Sequence, residues 1–181
     1  MRAWIVLVAM AAVLAGCKRQ GERGAAPAPG ASAEPPLYLN HAQPRLPTVK
    51  LWLGAHELTA EVARTTTEIA TGMMFRTNMA ETEGMLFVFG GPFQVAFYMR
   101  NTQVPLSCAY MDPAGTILEI HDLEPFNEKA VEARSDNVQY VLETARGWFA
   151  RHQVTPGTVV RTSVASFDGM NWAALRPWSG R

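Results

Sequence analysis

Between Met99 and Leu106 a permanent cation and two hydrogen-bonding side chains follow one another as Arg100, Asn101 and Thr102. Pro105 restricts Val104 to extended geometry, so the three residues read as a turn that follows a strand. With Arg76 they form the candidate binding set, suited to an anionic or sugar-like ligand. The competing reading is structural: Asn101 and Thr102 satisfy turn backbone, and Arg100 pairs with an acid such as Glu143.

A weaker constellation is hydrolytic. Ser107 or Cys108 would be the nucleophile and His121 the base, oriented by Glu119 or Asp122. A turn at Asp112-Pro113-Ala114-Gly115 folds the two segments together and is expected to set His121 across from Ser107. A cross-strand Ser–His pair is usually only a hydrogen bond, and the sequence has no nucleophile elbow or glycine-rich oxyanion motif. Met73, Met74, Met85, Met99 and Met111, with His121, have soft donors for Cu(I), yet no Met-x-Met or Met-x-x-Met spacing recurs. They read as core packing, and no metal or cofactor is expected. Rossmann, P-loop and zinc motifs are absent.

The elements that must hold these residues are short strands. Val49–Leu53 and Leu58–Val62 alternate about a Gly54-Ala55-His56 turn and read as a hairpin. Thr65 with Glu68 forms a capping box that starts a short helix. Strands are expected at Met85–Phe89, Val95–Met99, Leu106–Met111, Thr116–Asp122, Val138–Thr144 and Thr158–Val164, with a second short helix at Gly147–His152. Residues 122–136 read as a long exposed loop. The fold class expected is mainly β, an antiparallel β-sandwich or partly open β-barrel with two short helices.

Four segments bear a family likeness: Gly72-Met73-Met74-Phe75-Arg76, Gly84 to Phe89, Phe97 to Leu106, and Tyr140-Val141-Leu142-Glu143 with Gly147-Trp148. In order and spacing they resemble the domain of unknown function 192, from about Thr48 to Arg161. The resemblance implies a compact, mainly β domain of exported proteins and brings no activity or cofactor. The family usually carries Asp after the Pro-Leu of the third segment, where Ser107 stands here.

The first seventeen residues have Arg2, an apolar run from Ile5 to Leu14, and Leu14-Ala15-Gly16-Cys17. This is the pattern of an export signal and resembles the bacterial lipobox, which implies lipidation at Cys17. Lys18, where Asp would mark inner-membrane retention, implies an outer-membrane anchor facing the periplasm. Residues 18–47 are rich in Pro, Ala and Gly and read as a tether, 48–165 as the domain, and 166–181 as a tail. The formal net charge is zero and only two cysteines occur. The charge offers no footprint for nucleic acid, and a lipidated Cys17 leaves Cys108 unpaired within an apolar run. The expected partners are the membrane, through the anchor, and an envelope protein or glycan. Palmitate labelling of the chain should be lost on Cys17→Ala; absence of label from the unaltered chain would remove the anchor.

Overall fold

The computed structural model describes residues 37–162 and 166–175. Cys17 and the rest of the signal, most of the tether, Ser163-Val164 and Trp178 lie outside the described residues. Nine strands run in chain order: β1 Thr48–Leu53, β2 His56–Ala63, β3 Glu83–Phe93, β4 Ala96–Phe97, β5 Leu106–Met111, β6 Ile117–Leu123, β7 Val131–Glu132, β8 Val138–Ala145 and β9 Val160–Thr162. Helices α1 (Thr66–Thr71) and α2 (Trp148–Arg151) are short. Seven strands form one sheet in the order β6-β5-β8-β3-β2-β1-β9, curled into a partly open barrel. Strands β4 and β7 pair separately.

The capping box folds as read: Glu68 N donates to Thr65 Oγ1 and the Glu68 carboxylate accepts from Thr65 N. The helix serves a purpose that periodicity alone does not reveal. Strand β3 pairs parallel to β2, where the sequence pattern points to an antiparallel sheet throughout. Parallel neighbours need a crossover of about a dozen residues or more, and α1 with the loop to Thr82 provides it.

The 122–136 stretch is also not wholly loop, because Val131 and Glu132 pair with Phe97 and Ala96. At the other end of the sequence, packing reaches ahead of Thr48. Gln43 is buried and donates to the carbonyls of Glu68 and Gly72, and Leu39 N donates to Thr71 Oγ1.

The sheet separates two apolar clusters. All seven strands contribute to the first, around Leu51, Leu86, Leu142 and Val160, as the inner face of a curled sheet allows. Trp148, Phe149 and Phe167 plug it, and Met170, Trp172 and Leu175 of the tail pack against it. The second cluster lies on the opposite face, around Phe87, Cys108, Tyr110 and Val141, under Met73, Val95, Met99 and Val104 from the connections.

The open edges meet at one end. Ile117 N donates to Thr158 O at 2.9 Å, Gly157 N to Ile117 O at 2.8 Å and Val160 N to Gly115 O at 2.9 Å. Gly115 sits at φ +82°, and a Cβ there would lie 2.8 Å from the Phe167 ring and 3.1 Å from Val160 O. Gly115→Ala should therefore cost about 2 kcal/mol or more from backbone strain and crowding at the closure. Urea unfolding of the variant measures this.

Candidate functional site

Strand register sets five side chains of four chemical types in one row across the second face. Glu61 pairs with Met85, Met85 with Glu143, Glu143 with Cys108, and Cys108 with His121. Residues paired in this way project to the same side of a sheet. The row holds two buried carboxyls, each 4% exposed, and their surroundings differ completely.

Glu61 is saturated. Arg76 grips it as a fork, Nη1 to Oε1 at 2.7 Å and Nη2 to Oε2 at 2.8 Å. Arg45 Nη1 adds a bond to Oε1 and Leu46 N one to Oε2, both at 2.8 Å. Burial alone would raise the Glu61 pKa; Arg76, the Leu46 amide and Arg45 together outweigh it and hold the pKa below its ordinary value. Glu61 lines a polar groove of about 530 Å³ with Gln43, Arg45, Arg76 and Glu83.

Glu143 has nothing comparable. Its Oε2 is buried and without a hydrogen-bond partner. Among the described residues Arg76 Nε is the one other such side-chain atom. Burial pushes the Glu143 carboxyl up to about 8, so it holds a proton at neutral pH. Its neighbours on β5 do not offset this. Burial also raises the pKa of both Cys108 and Tyr110, with Glu143 adding a smaller contribution to each, and both stay neutral. Glu143 lines a cavity of about 240 Å³ whose walls are mainly apolar, including Met73, Met74, Phe87, Val95, Phe97 and Tyr98. Phe87 and Phe97 meet edge to face at 4.9 Å, and Thr102 adds one hydroxyl to the lining. Met73 lines both this cavity and the polar groove.

The residues singled out from sequence fall in several places. Arg76 is in the polar groove and Thr102 in the apolar cavity. Arg100 and Asn101 line neither of these two spaces. Arg100 pairs with Glu128 at 2.8 Å and not with Glu143, which is buried on the sheet. Asn101 occupies the left-handed region at φ +54° and its carbonyl accepts from Phe75 N, while Thr102 Oγ1 donates to Arg100 O. Thr102 thus satisfies turn backbone, while the Asn101 amide reaches Met74 Sδ at 3.9 Å and Arg100 pairs with an acid outside the turn.

Ser107 and His121 are not brought together. The register is shifted by one residue from that expected, with Ser107 opposite Asp122 and His121 opposite Cys108, so Ser107 and His121 point to opposite faces. The reason is an irregularity near the turn: Tyr110 pairs with Glu119 but Met111 with Ile117, which leaves Leu118 as an extra residue. Ser107 Oγ donates to the Asp122 carboxylate and accepts from Gly147 N. His121 Nε2 is 2.9 Å from Glu119 Oε2. Cys108 is fully buried, as its apolar run suggests. Its raised pKa is the opposite of what a nucleophilic thiol needs. Met111 lies in the first cluster, on the other face from Met73, Met85 and Met99.

In the sequence Glu143 stands out only as a family-motif residue and as a partner for Arg100. The signal that marks it is an acid two residues after Val141, on the same face of an otherwise apolar central strand.

Residues 49–162 match the family described as DUF192, Uncharacterized ACR. The chain belongs to this family. A solved structure from Sinorhizobium meliloti 1021, named as a candidate transcription regulator, is 35% identical, with a TM-score of 0.60 over 65% of this chain and 93% of that one. A protein of unknown function from Novosphingobium aromaticivorans is 33% identical, with a TM-score of 0.59 over 63% of this chain and 83% of that one. No curated protein matches. Among the described residues no cluster of three or more His, Cys, Asp or Glu can hold a metal, and no helix is long and apolar enough to cross a membrane.

The Glu143 carboxyl leaves a signature on stability. Its folded pKa of about 8 lies above the ordinary 4.5, so between those values the folded state holds a proton that the unfolded chain releases. Stability should fall as pH rises through this window, by up to about 1.4 kcal/mol per pH unit, and level off above it. Glu143→Gln should flatten this part of the profile, measured by urea unfolding from pH 5 to 9.

Proposed function

We infer that this DUF192 domain is a non-catalytic binding module of an envelope lipoprotein, and that the cavity above Glu143 is its ligand site. The observation that carries the reading is a carboxyl 96% withdrawn from solvent, lining a formed cavity, with an oxygen that nothing in the protein satisfies. An unpaired buried polar group costs about 1–3 kcal/mol or more. Such a cost is typical of sites where the missing partner arrives with a ligand. Mostly apolar walls with a few polar groups, Glu143 and Thr102 among them, match the composition of small-molecule pockets.

The lipobox pattern at Cys17 supports the envelope address, with the proline-rich stretch holding the module off the membrane. The regulator name carried by the Sinorhizobium relative is not adopted for this chain. Its formal net charge of zero gives no support to nucleic-acid binding. A hydrolase reading is weaker here, because Ser107 and His121 sit on opposite faces of the sheet.

Titration of the full chain with 2-phenylethanol, a neutral ring-bearing probe, tests the site. Methyl NMR signals of Met73 and Met74 should shift, and Ala70→Phe, which fills the cavity from α1, should abolish the shifts while the fold persists. Shifts that are absent, or that survive the filling substitution, would contradict the site.

A further inference from the structure

We propose that the Glu143 cavity selects a small organic ammonium, a primary amine carried on a ring-sized apolar body. This rests on the reading of the cavity as a ligand site and adds the charge and size of its ligand.

Charge comes first. The sole formally ionisable acid among the lining residues is Glu143, and no Lys, Arg or His lines the cavity. The nearest titratable groups on the sheet are Cys108 and Tyr110, both neutral, and neither supplies a positive charge. A ligand anion would therefore meet no cation among the lining residues. A ligand ammonium lodged against the part of Glu143 that faces the cavity would turn a lone buried acid into a charge-assisted hydrogen bond.

The walls favour the same sign. Phe87, Phe97 and Tyr98 line the cavity, and aromatic rings attract cations placed over their faces. The Arg100 guanidinium already lies over the Tyr98 ring, 5.3 Å from its centre.

Volume bounds the size. The cavity of about 240 Å³ offers room for a small ring-bearing body beside Glu143.

Binding carries a proton balance. Glu143 is protonated below about pH 8, so an ammonium ligand takes the carboxylate form and the carboxyl proton goes to solvent. Affinity should rise from pH 6 to pH 8.

Calorimetric titration of the full chain with phenethylamine and 2-phenylethanol, which differ only in ammonium against hydroxyl, tests the proposal. The amine should bind at least ten-fold more tightly, with proton release visible as buffer-dependent heat. Glu143→Gln should bring the two probes within about two-fold while retaining the alcohol. The carboxyl is already neutral at pH 7, so the substitution should leave the fold intact. Equal affinity of the two probes for the unaltered chain would overturn the ammonium assignment and leave the cavity reading standing. Failure of both to bind would overturn the cavity reading, and a preference for the amine that persists in Glu143→Gln would place its charge recognition elsewhere.

Discussion

Much of this domain is arranged around the pairing of β8 with β3 on one side and β5 on the other. That register puts Glu143 between Met85 and Cys108, two strand pairings from Glu61 and two from His121. A carboxyl at the centre of a sheet would ordinarily be paired or replaced by an apolar residue, since burying it alone is unfavourable. Here the sheet and the connections packed over it bury Glu143 without giving its Oε2 a partner. The contrast with Glu61 is instructive because the two acids share a row and a degree of burial. Two arginines and a backbone amide make Glu61 a joint that ties the segment before β1 and the loop after α1 to the sheet. Glu143 ties nothing.

The barrel makes this arrangement possible. Its interior is filled by aliphatic and aromatic residues from every strand of the large sheet, and hydrogen bonds between Gly115–Ile117 and Gly157–Val160 draw the open edges together. The interior therefore supports the fold, and the outer face is free to carry a cavity. That cavity is walled by α1, the end of β3 and β4. Strand β4 is fixed by only a two-residue ladder to β7. Such lightly held elements can adjust about a ligand while the barrel behind them stays rigid.

Alternation and turn chemistry made much of the fold legible. The Thr48–Ala63 hairpin, the capping box and the Asp112–Gly115 turn all follow from local rules, and the turn is secured by Asp112 Oδ1 accepting from Ala114 N and Thr116 N. What local rules do not contain is pairing between distant segments. The parallel β2–β3 pair depends on a crossover returning to the same edge, and the β4–β7 ladder joins residues over thirty positions apart. The one-residue slip between β5 and β6 shows how sharply a site depends on register, because it separates Ser107 from His121 altogether. Arg100, Asn101 and Thr102 stand out because they are polar, yet each meets a partner within the protein: Glu128, Met74 Sδ and the Arg100 carbonyl. Glu143 is conspicuous only once its neighbours on β3 and β5 are known, and those lie more than thirty residues away in the sequence.

The central claim is that Glu143 is an acid kept without a partner inside the folded protein. Carboxyl ¹³C NMR of glutamate-labelled full chain measures this directly, with Glu143→Gln assigning the signal. One carboxyl should titrate near 8, be missing from the Gln variant and move downward in pKa when phenethylamine saturates the site. A Glu143 signal titrating at the ordinary value of 4.5 would mean that water or a partner already reaches the carboxyl, and would contradict the account.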